Sequence, residues 1–163
     1  MEAATIEFLS KVGVPIFTFI AGFFVSRYTL SKKERYDIES QKLKLSNEMV
    51  SEQDKAFQSF CAALQKYATS PTTGSLDDFF AISTSGEAYF SRLKIMCDAI
   101  LARKLDDASV KNTHRPVVIE AVNKTLPEFY KTLQEIAIKN KISYKGVLKE
   151  SNYKSVYDVY RSN

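Results

Sequence analysis

The sequence predicts an all-α protein, in which a single N-terminal transmembrane helix is followed by a cytosolic helical bundle. The first observation is the run Val12–Ser26, which contains no charged residue. The second is the stretch from Tyr28 to about Ala68, which lacks proline and glycine and consists mostly of good helix formers. The third is that no segment alternates polar and apolar residues convincingly, as a half-buried strand does. We therefore expect helices throughout.

The apolar run has the length and flanks of a membrane span. A spanning helix needs roughly 20 mostly apolar residues, and Val12–Leu30 supplies nineteen, of which only Arg27 is charged. The long side chain of Arg27 can reach the headgroups from the end of the helix. Basic residues are in excess after the run, whereas Lys11 is the only one before it. This bias predicts an inner-membrane protein with its N-terminus outside and its C-terminal domain in the cytoplasm.

Other readings of the same run stay open at this point. A cleaved signal peptide carries its basic residues before the apolar core, whereas here they follow it. A buried core helix of a soluble protein remains an alternative, because the run is at the short end for a span. An amphipathic surface helix is disfavoured, because phenylalanine residues fall on all faces of the helix.

Small residues recur at every fourth position of the predicted anchor, at Thr18, Gly22 and Ser26. Small side chains at this spacing allow two membrane helices to approach closely, which favours self-association. Such residues are also common in membrane helices in general. We expect a homo-oligomer that packs along this face.

The predicted boundary separates a membrane part, residues 1–30, from a cytosolic all-α domain, residues 31–163. Within that domain we expect a long helix over 31–69, a helical bundle over 75–140 and a basic, tyrosine-rich region over 141–163. The break at 70–75, Ser-Pro-Thr-Thr-Gly-Ser, is rich in turn residues. A short helix is expected to start at Ser75 and a longer one at Thr84, where Glu87 completes a capping-box spacing. The two cysteines, Cys61 and Cys97, are expected to be small core residues.

The long helix carries an apolar residue at every seventh position: Tyr36, Leu43, Val50, Phe57 and Leu64. The companion row that a coiled coil needs is polar, since it contains Lys32, Glu39, Ser46 and Gln53. The sequence therefore favours a helix packed in a bundle over a strong two-stranded coiled coil.

The residue types that catalysis needs are scarce. His114 is the only histidine, and the chain has no glycine-rich phosphate loop, nucleophile elbow or spaced Cys/His cluster. We expect no catalytic residues, no metal and no cofactor, and we interpret the protein as a non-enzyme.

Residues suited to anion binding are more numerous than residues suited to catalysis. Lys111, Asn112, His114 and Arg115 form a cluster at a predicted helix N-terminus, where free N–H groups favour phosphate. The alternative is a polar, capped loop without a ligand.

A second basic cluster lies near the C-terminus. The formal net charge is +4, and residues 139–163 contain six basic side chains against two acidic ones. Lys145, Lys149, Tyr153 and Lys154 interleave rings and cations, as sites for single-stranded nucleic acid do. The tyrosines could equally pack one face of a last helix, and the lysines could attract anionic lipid. A nucleotide or oligonucleotide ligand is a possibility, whereas double-stranded nucleic acid is not expected as a partner.

The whole outline resembles the small membrane effectors of bacterial anti-phage defence. It is most similar to type III CRISPR effectors whose cytosolic domain binds a cyclic oligoadenylate. The resemblance implies an oligomer, a second messenger bound between subunits, and a membrane part that rearranges to breach the bilayer. The alternative is a non-enzymatic inner-membrane scaffold, subunit or exclusion factor, whose bundle recruits a protein partner.

Overall fold

A computed structural model describes the backbone of residues 14–69 and 74–162, and the side chains of residues 29, 31–69 and 74–162. Over these residues the chain is helical and contains no strand, so the predicted all-α class is confirmed. The chain divides into two compact units, Met1–Gln41 and Lys42–Asn163. The core and the sites described below belong to the second unit.

Two long helices open the fold. Helix α1 comprises Val14–Thr69 and α2 comprises Leu76–Leu101. A capping box starts α2: Asp78 N donates to Ser75 Oγ at 3.1 Å, and Ser75 N donates to Asp78 Oδ2 at 2.9 Å. These bonds with Ser75 hold the pKa of Asp78 below its usual range. The predicted start at Ser75 is therefore confirmed.

The predicted second start at Thr84 is wrong, because α2 passes through it without a break. Ser85 Oγ donates back to Ala81 O at 2.6 Å and so makes its bond within the helix. Gly86 is buried where the ring of Phe129 lies against the backbone of α2. The glycine at this position is thus a packing residue and does not mark a helix boundary.

A third helical stretch alternates between two winding types. It consists of α3 (Asp107–Ser109), the π turn π1 (Val110–His114), α4 (Arg115–Glu120), the π turn π2 (Ala121–Thr125) and α5 (Leu126–Lys139). Pro116 and Pro127 each lie two residues after the end of a π turn. Proline lacks an N–H and its ring crowds the carbonyl four residues earlier. The wider π turns lie where that crowding falls, and the helix continues past both prolines.

After α5 the chain runs without regular structure to a 3₁₀ turn, Glu150–Tyr153, and then to the last helix, α6, Lys154–Arg161. Helix α6 packs against α2 and α4. Val156, Tyr157 and Val159 are its buried side chains. The tyrosine-rich end of the chain therefore closes the bundle.

The core-facing stripe of α1 overlaps only at one end with the apolar row that the sequence singled out, where Leu64 packs against the core. Tyr36 is 72% exposed and Phe57 is 39% exposed, whereas Ser46 and Gln53 of the polar companion row are buried. Ser46 Oγ accepts a hydrogen bond from Asp106 N at 3.0 Å, so this buried hydroxyl has a partner. The helix thus turns its mixed polar and apolar face inward.

Aromatic rings form the centre of the core. Phe60 of α1 is 1% exposed, and its ring centroid lies 6.1, 6.0 and 5.7 Å from those of Tyr89, Phe90 and Phe129. Phe60 therefore joins three helices at one point.

The two cysteines have different environments. Cys97 is buried, as expected, and burial raises the pKa of its thiol to about 12. Cys61 is exposed on α1, so the prediction that it is a core residue is wrong. It lies one position past Phe60, on the side of the helix that turns away from the core.

Candidate ligand-binding site

The first predicted anion-binding cluster lies on π1 and at the start of α4. Lys111 and Asn112 are exposed, whereas His114 is 1% exposed. The expectation that this cluster opens a helix is wrong: the helix begins earlier, where Asp106 Oδ2 accepts from Ser109 N at 2.8 Å. The backbone N–H of Arg115 is bonded to Val110 O inside the helix. An anion at this position would have to be held by side chains.

Two side-chain nitrogen atoms of this cluster are buried without a hydrogen-bond partner in the described part of the chain. They are His114 Nε2 and Arg115 Nε. The guanidinium has one further contact, in which Arg115 Nη2 donates to Ser162 O at 3.4 Å. A buried polar group without a partner costs about 1–3 kcal/mol, so each of these two nitrogens is a group that a ligand atom could satisfy.

The buried imidazole makes stability depend on pH. Burial lowers the pKa of His114 below its ordinary value of 6.5. The unfolded chain therefore binds a proton at a higher pH than the folded chain does. We expect the free energy of unfolding to be highest above about pH 6.5 and to fall below it, by at most about 1.4 kcal/mol per pH unit.

Urea denaturation at pH 7.5 and at pH 5.5 measures this dependence. Because His114 is the only histidine, the substitution His114→Gln should remove most of the difference between the two pH values. An equally steep loss of stability in that variant would contradict the assignment to His114.

The second predicted cluster is spread along the C-terminal region. Lys145 and Lys149 lie in the irregular connection after α5, and Lys154 is the first residue of α6; all three are exposed. Tyr153 is instead 7% exposed, and its hydroxyl lies 3.1 Å from that of Tyr130. The alternative that the tyrosines pack the last helix is therefore correct for Tyr153.

The two predicted clusters lie toward opposite ends of α6. Arg115 contacts Ser162, just past the C-terminal end of that helix, whereas Tyr153 precedes its first residue. Eight helical residues span about 12 Å. Within one subunit the structure does not gather the two clusters into one compact site.

A cavity beside Tyr153 includes residues that sequence reasoning missed. Its volume is about 240 Å³, and Lys94, Asn152 and Tyr130 line it together with Tyr153. Lys94 Nζ lies 5.9 Å from the centroid of the Tyr153 ring. Lys94 is on α2, far from Tyr153 in sequence, so no local pattern indicated that the two meet.

A further cleft lies between α1, α2 and the π2 region. Its volume is about 160 Å³, and its lining includes Gln53, Asp54, Phe57, Tyr89, Glu120 and Thr125; we call it the Gln53 cleft. Gln53 is 5% exposed, and its Nε2 has no hydrogen-bond partner among the described residues. Sequence reasoning identified Gln53 only as a member of the polar companion row of α1 and did not predict this cleft.

The residues of the predicted membrane part fall mostly outside the described side chains. Thr18, Gly22 and Ser26 belong to the backbone of α1, and their side chains lie outside the described part, as do residues 1–13 entirely. Within the described part of the chain, no helix combines the length and the apolar character that crossing a membrane requires.

Comparisons with known proteins add no relative. No family model matches the chain, and neither a curated protein nor a solved structure matches it. Over the described residues, no group of three or more His, Cys, Asp or Glu side chains could hold a metal ion. The function is therefore inferred from the residues themselves.

Proposed function

We propose that the protein is a non-enzymatic effector of the bacterial inner membrane. Its subunits form a homo-oligomer, and each subunit has one N-terminal membrane helix with the N-terminus outside. The cytosolic helical domain binds a nucleotide second messenger of the cyclic oligoadenylate class and alters the membrane segment, so that the membrane is permeabilised or disrupted in anti-phage defence.

One observation supports ligand binding more than the others. In the cluster that the sequence marked for anions, His114 Nε2 and Arg115 Nε are buried without partners in the described part of the chain. Lys111 and Asn112, on the same π turn, are exposed. A phosphate group could accept from the Arg115 guanidinium while Lys111 supplies charge. π turns inside α-helices are frequent at functional sites, which agrees with this placement.

The continuity of α1 supports coupling between the domain and the apolar segment. One helix includes both part of the apolar run and Phe60, at the centre of the core. A ligand can shift an equilibrium between two arrangements only if it binds one of them more tightly. We propose that the messenger favours one packing of α1 in the bundle and thereby changes the association of the anchors.

Self-association is supported by the apolar row on α1. Tyr36 is 72% exposed and Leu43 is 47% exposed, seven residues apart on α1. Exposed apolar side chains of this kind are typical of surfaces that pack against another protein chain. The proposed occupant of this row is therefore the same row of a second subunit.

Ligand binding is tested on the full chain in detergent micelles, by titration with cyclic oligoadenylates of different ring sizes. We expect saturable binding at micromolar concentration, weakened about tenfold or more by Arg115→Gln, because a charge-assisted bond to phosphate is worth about 1.5–3 kcal/mol. Lys131→Gln is the matched control, since Lys131 is an exposed lysine of α5 whose Nζ lies 3.9 Å from Glu135 Oε1. Absence of binding by the folded protein would overturn the proposal.

The topology can be tested separately from the ligand. A reporter that is active only in the cytoplasm, fused after Asn163, should be active, because basic residues follow the apolar run. The matched fusion carries a reporter that is active only in the periplasm and should be silent. The reverse pattern would place the helical domain outside the cytoplasm.

A second candidate function is a scaffold, subunit or exclusion factor that recruits a protein partner. The observation that favours it is a groove of about 250 Å³ beside Ile138, which is 78% exposed, and Val147, which is 48% exposed. Exposed apolar surface of this kind is typical of protein contacts. If Ile138→Ser abolishes function in cells while cyclic oligoadenylates do not bind, the scaffold is the better description. A gene for the polymerase of a type III CRISPR system beside this gene would favour the first function.

A further inference from the structure

The charged side chains that line the Gln53 cleft are acidic, whereas those of the anion-binding cluster are basic. Asp54 and Glu120 line the cleft, and no lysine or arginine does. Neither carboxylate has an ion-pair partner within the described part of the chain. Burial raises the pKa of Tyr89 to about 12; the neighbouring Gln53 side chain acts in the opposite direction, and the charges of Glu120 and Asp54 add to the increase. Carboxylates from two helices therefore line the same cleft as Tyr89.

An aromatic wall lies beside these carboxylates. The ring centroids of Phe57 and Tyr89 are 5.2 Å apart, at an interplanar angle of 49°. Phe57 is 39% exposed, so part of its ring is open to an incoming group. The face of an aromatic ring attracts a cation, and more strongly where water is excluded.

A buried hydrogen-bond donor lies next to the cleft. Gln53 lines the cleft and is only 5% exposed. Its Nε2 has no hydrogen-bond partner among the described residues. Leaving such a donor unpaired is unfavourable, and an oxygen atom of a ligand would satisfy it. The observation is independent of the two carboxylates, because it concerns a neutral group on the inner side of α1.

We propose that the Gln53 cleft binds a small organic cation that also carries a hydroxyl or carbonyl oxygen. Its positive group lies against Phe57, near the carboxylates of Asp54 and Glu120, and its oxygen accepts a bond from Gln53 Nε2. The cleft volume of about 160 Å³ suits a ligand of a few carbon atoms. The site does not depend on the proposed function, because none of its residues belongs to the anion-binding cluster.

Calorimetric titration of the full chain in detergent micelles tests the charge requirement. The probes are choline and ethanolamine, and the control ligand is 3,3-dimethylbutan-1-ol, which has the shape of choline without its charge. We expect at least one of the two cations to bind with a dissociation constant of about 1 mM or lower, and the uncharged alcohol to bind about tenfold more weakly or not at all. Absence of saturable binding for both cations, or equal binding of the alcohol, would overturn the proposal.

Substitutions of the two carboxylates test whether the cation binds in the cleft. Asp54→Asn and Glu120→Gln should each weaken the better cation about threefold or more, because each removes one charge near it. Both positions are exposed, so the variants should fold. Glu128→Gln, at an exposed carboxylate of α5 outside the cleft, should leave the affinity unchanged. If Glu128→Gln is as harmful as the two cleft variants, the binding is a general attraction to acidic surface and the assigned site is wrong.

A last variant separates the oxygen contact from the charge contact. Gln53→Met keeps the side-chain length and removes the amide donor. It should weaken choline several-fold and leave tetramethylammonium, which has no oxygen, unchanged. Equal loss for both ligands would contradict the proposed bond to Gln53.

Discussion

Replacing Phe60 with alanine is expected to lower the free energy of unfolding by about 3–5 kcal/mol. The ring is 1% exposed and lies against Tyr89 and Phe90 of α2 and Phe129 of α5. Its removal leaves a cavity where three helices meet and deletes the contact of α1 with these three rings. Denaturation by urea, followed by near-ultraviolet circular dichroism, measures the change.

The matched control is Phe80→Ala, at a phenylalanine of α2 that is 58% exposed. A surface position of this kind should change the free energy by about 1 kcal/mol or less. If the two substitutions cost the same, the aromatic cluster is not the centre of the core.

The substitution Gly86→Ala is expected to destabilise the protein by about 1–3 kcal/mol. Alanine is the better helix former by about 1 kcal/mol, so helix propensity alone predicts the opposite sign. An ideal Cβ on Gly86 would lie 2.7 Å from Phe129 Cδ2 and closer still to Cε2, which is overlap. The ring is 3% exposed and packed on its other sides, so it has little room to move.

A double substitution separates steric overlap from other effects. Gly86→Ala combined with Phe129→Leu should cost less than the sum of the two single changes, because the smaller side chain leaves room for the methyl group. Ser85→Ala is the neighbouring control and should be nearly neutral, since its hydroxyl bonds only to carbonyls of its own helix. Additive costs in the double variant would contradict the role of Phe129.

Local patterns predicted helices well and helix ends less well. The long helix and the cap at Ser75 follow from nearby residues, and the structure shows both. The predicted helix start at Thr84 was wrong, because a capping-box spacing can also occur inside a helix that tertiary packing stabilises. The same holds for the polar cluster at Lys111–Arg115, which lies inside a continuous helical stretch.

The candidate sites were predictable only in part. Lys111, Asn112, His114 and Arg115 were identified from residue type, and the structure adds that two of their nitrogens are buried without partners. Sequence reasoning missed Lys94 beside Tyr153 and missed the Gln53 cleft as a site. Both involve residues from helices far apart in the chain, which no short-range spacing can bring together.

There is a physical reason why some features could be predicted from the sequence and others only from the tertiary structure. Helix propensity, capping and turn chemistry act over a few residues, so the all-α class and the basic C-terminal region could be derived from the amino-acid order alone. Which face of α1 is buried depends on what packs against it. Apolar spacing favoured the row of Tyr36 and Phe57, but the bond from Asp106 N to Ser46 Oγ and the rings around Phe60 turn the other face inward. Burial is a property of the whole assembly of helices, and only the tertiary structure determined it.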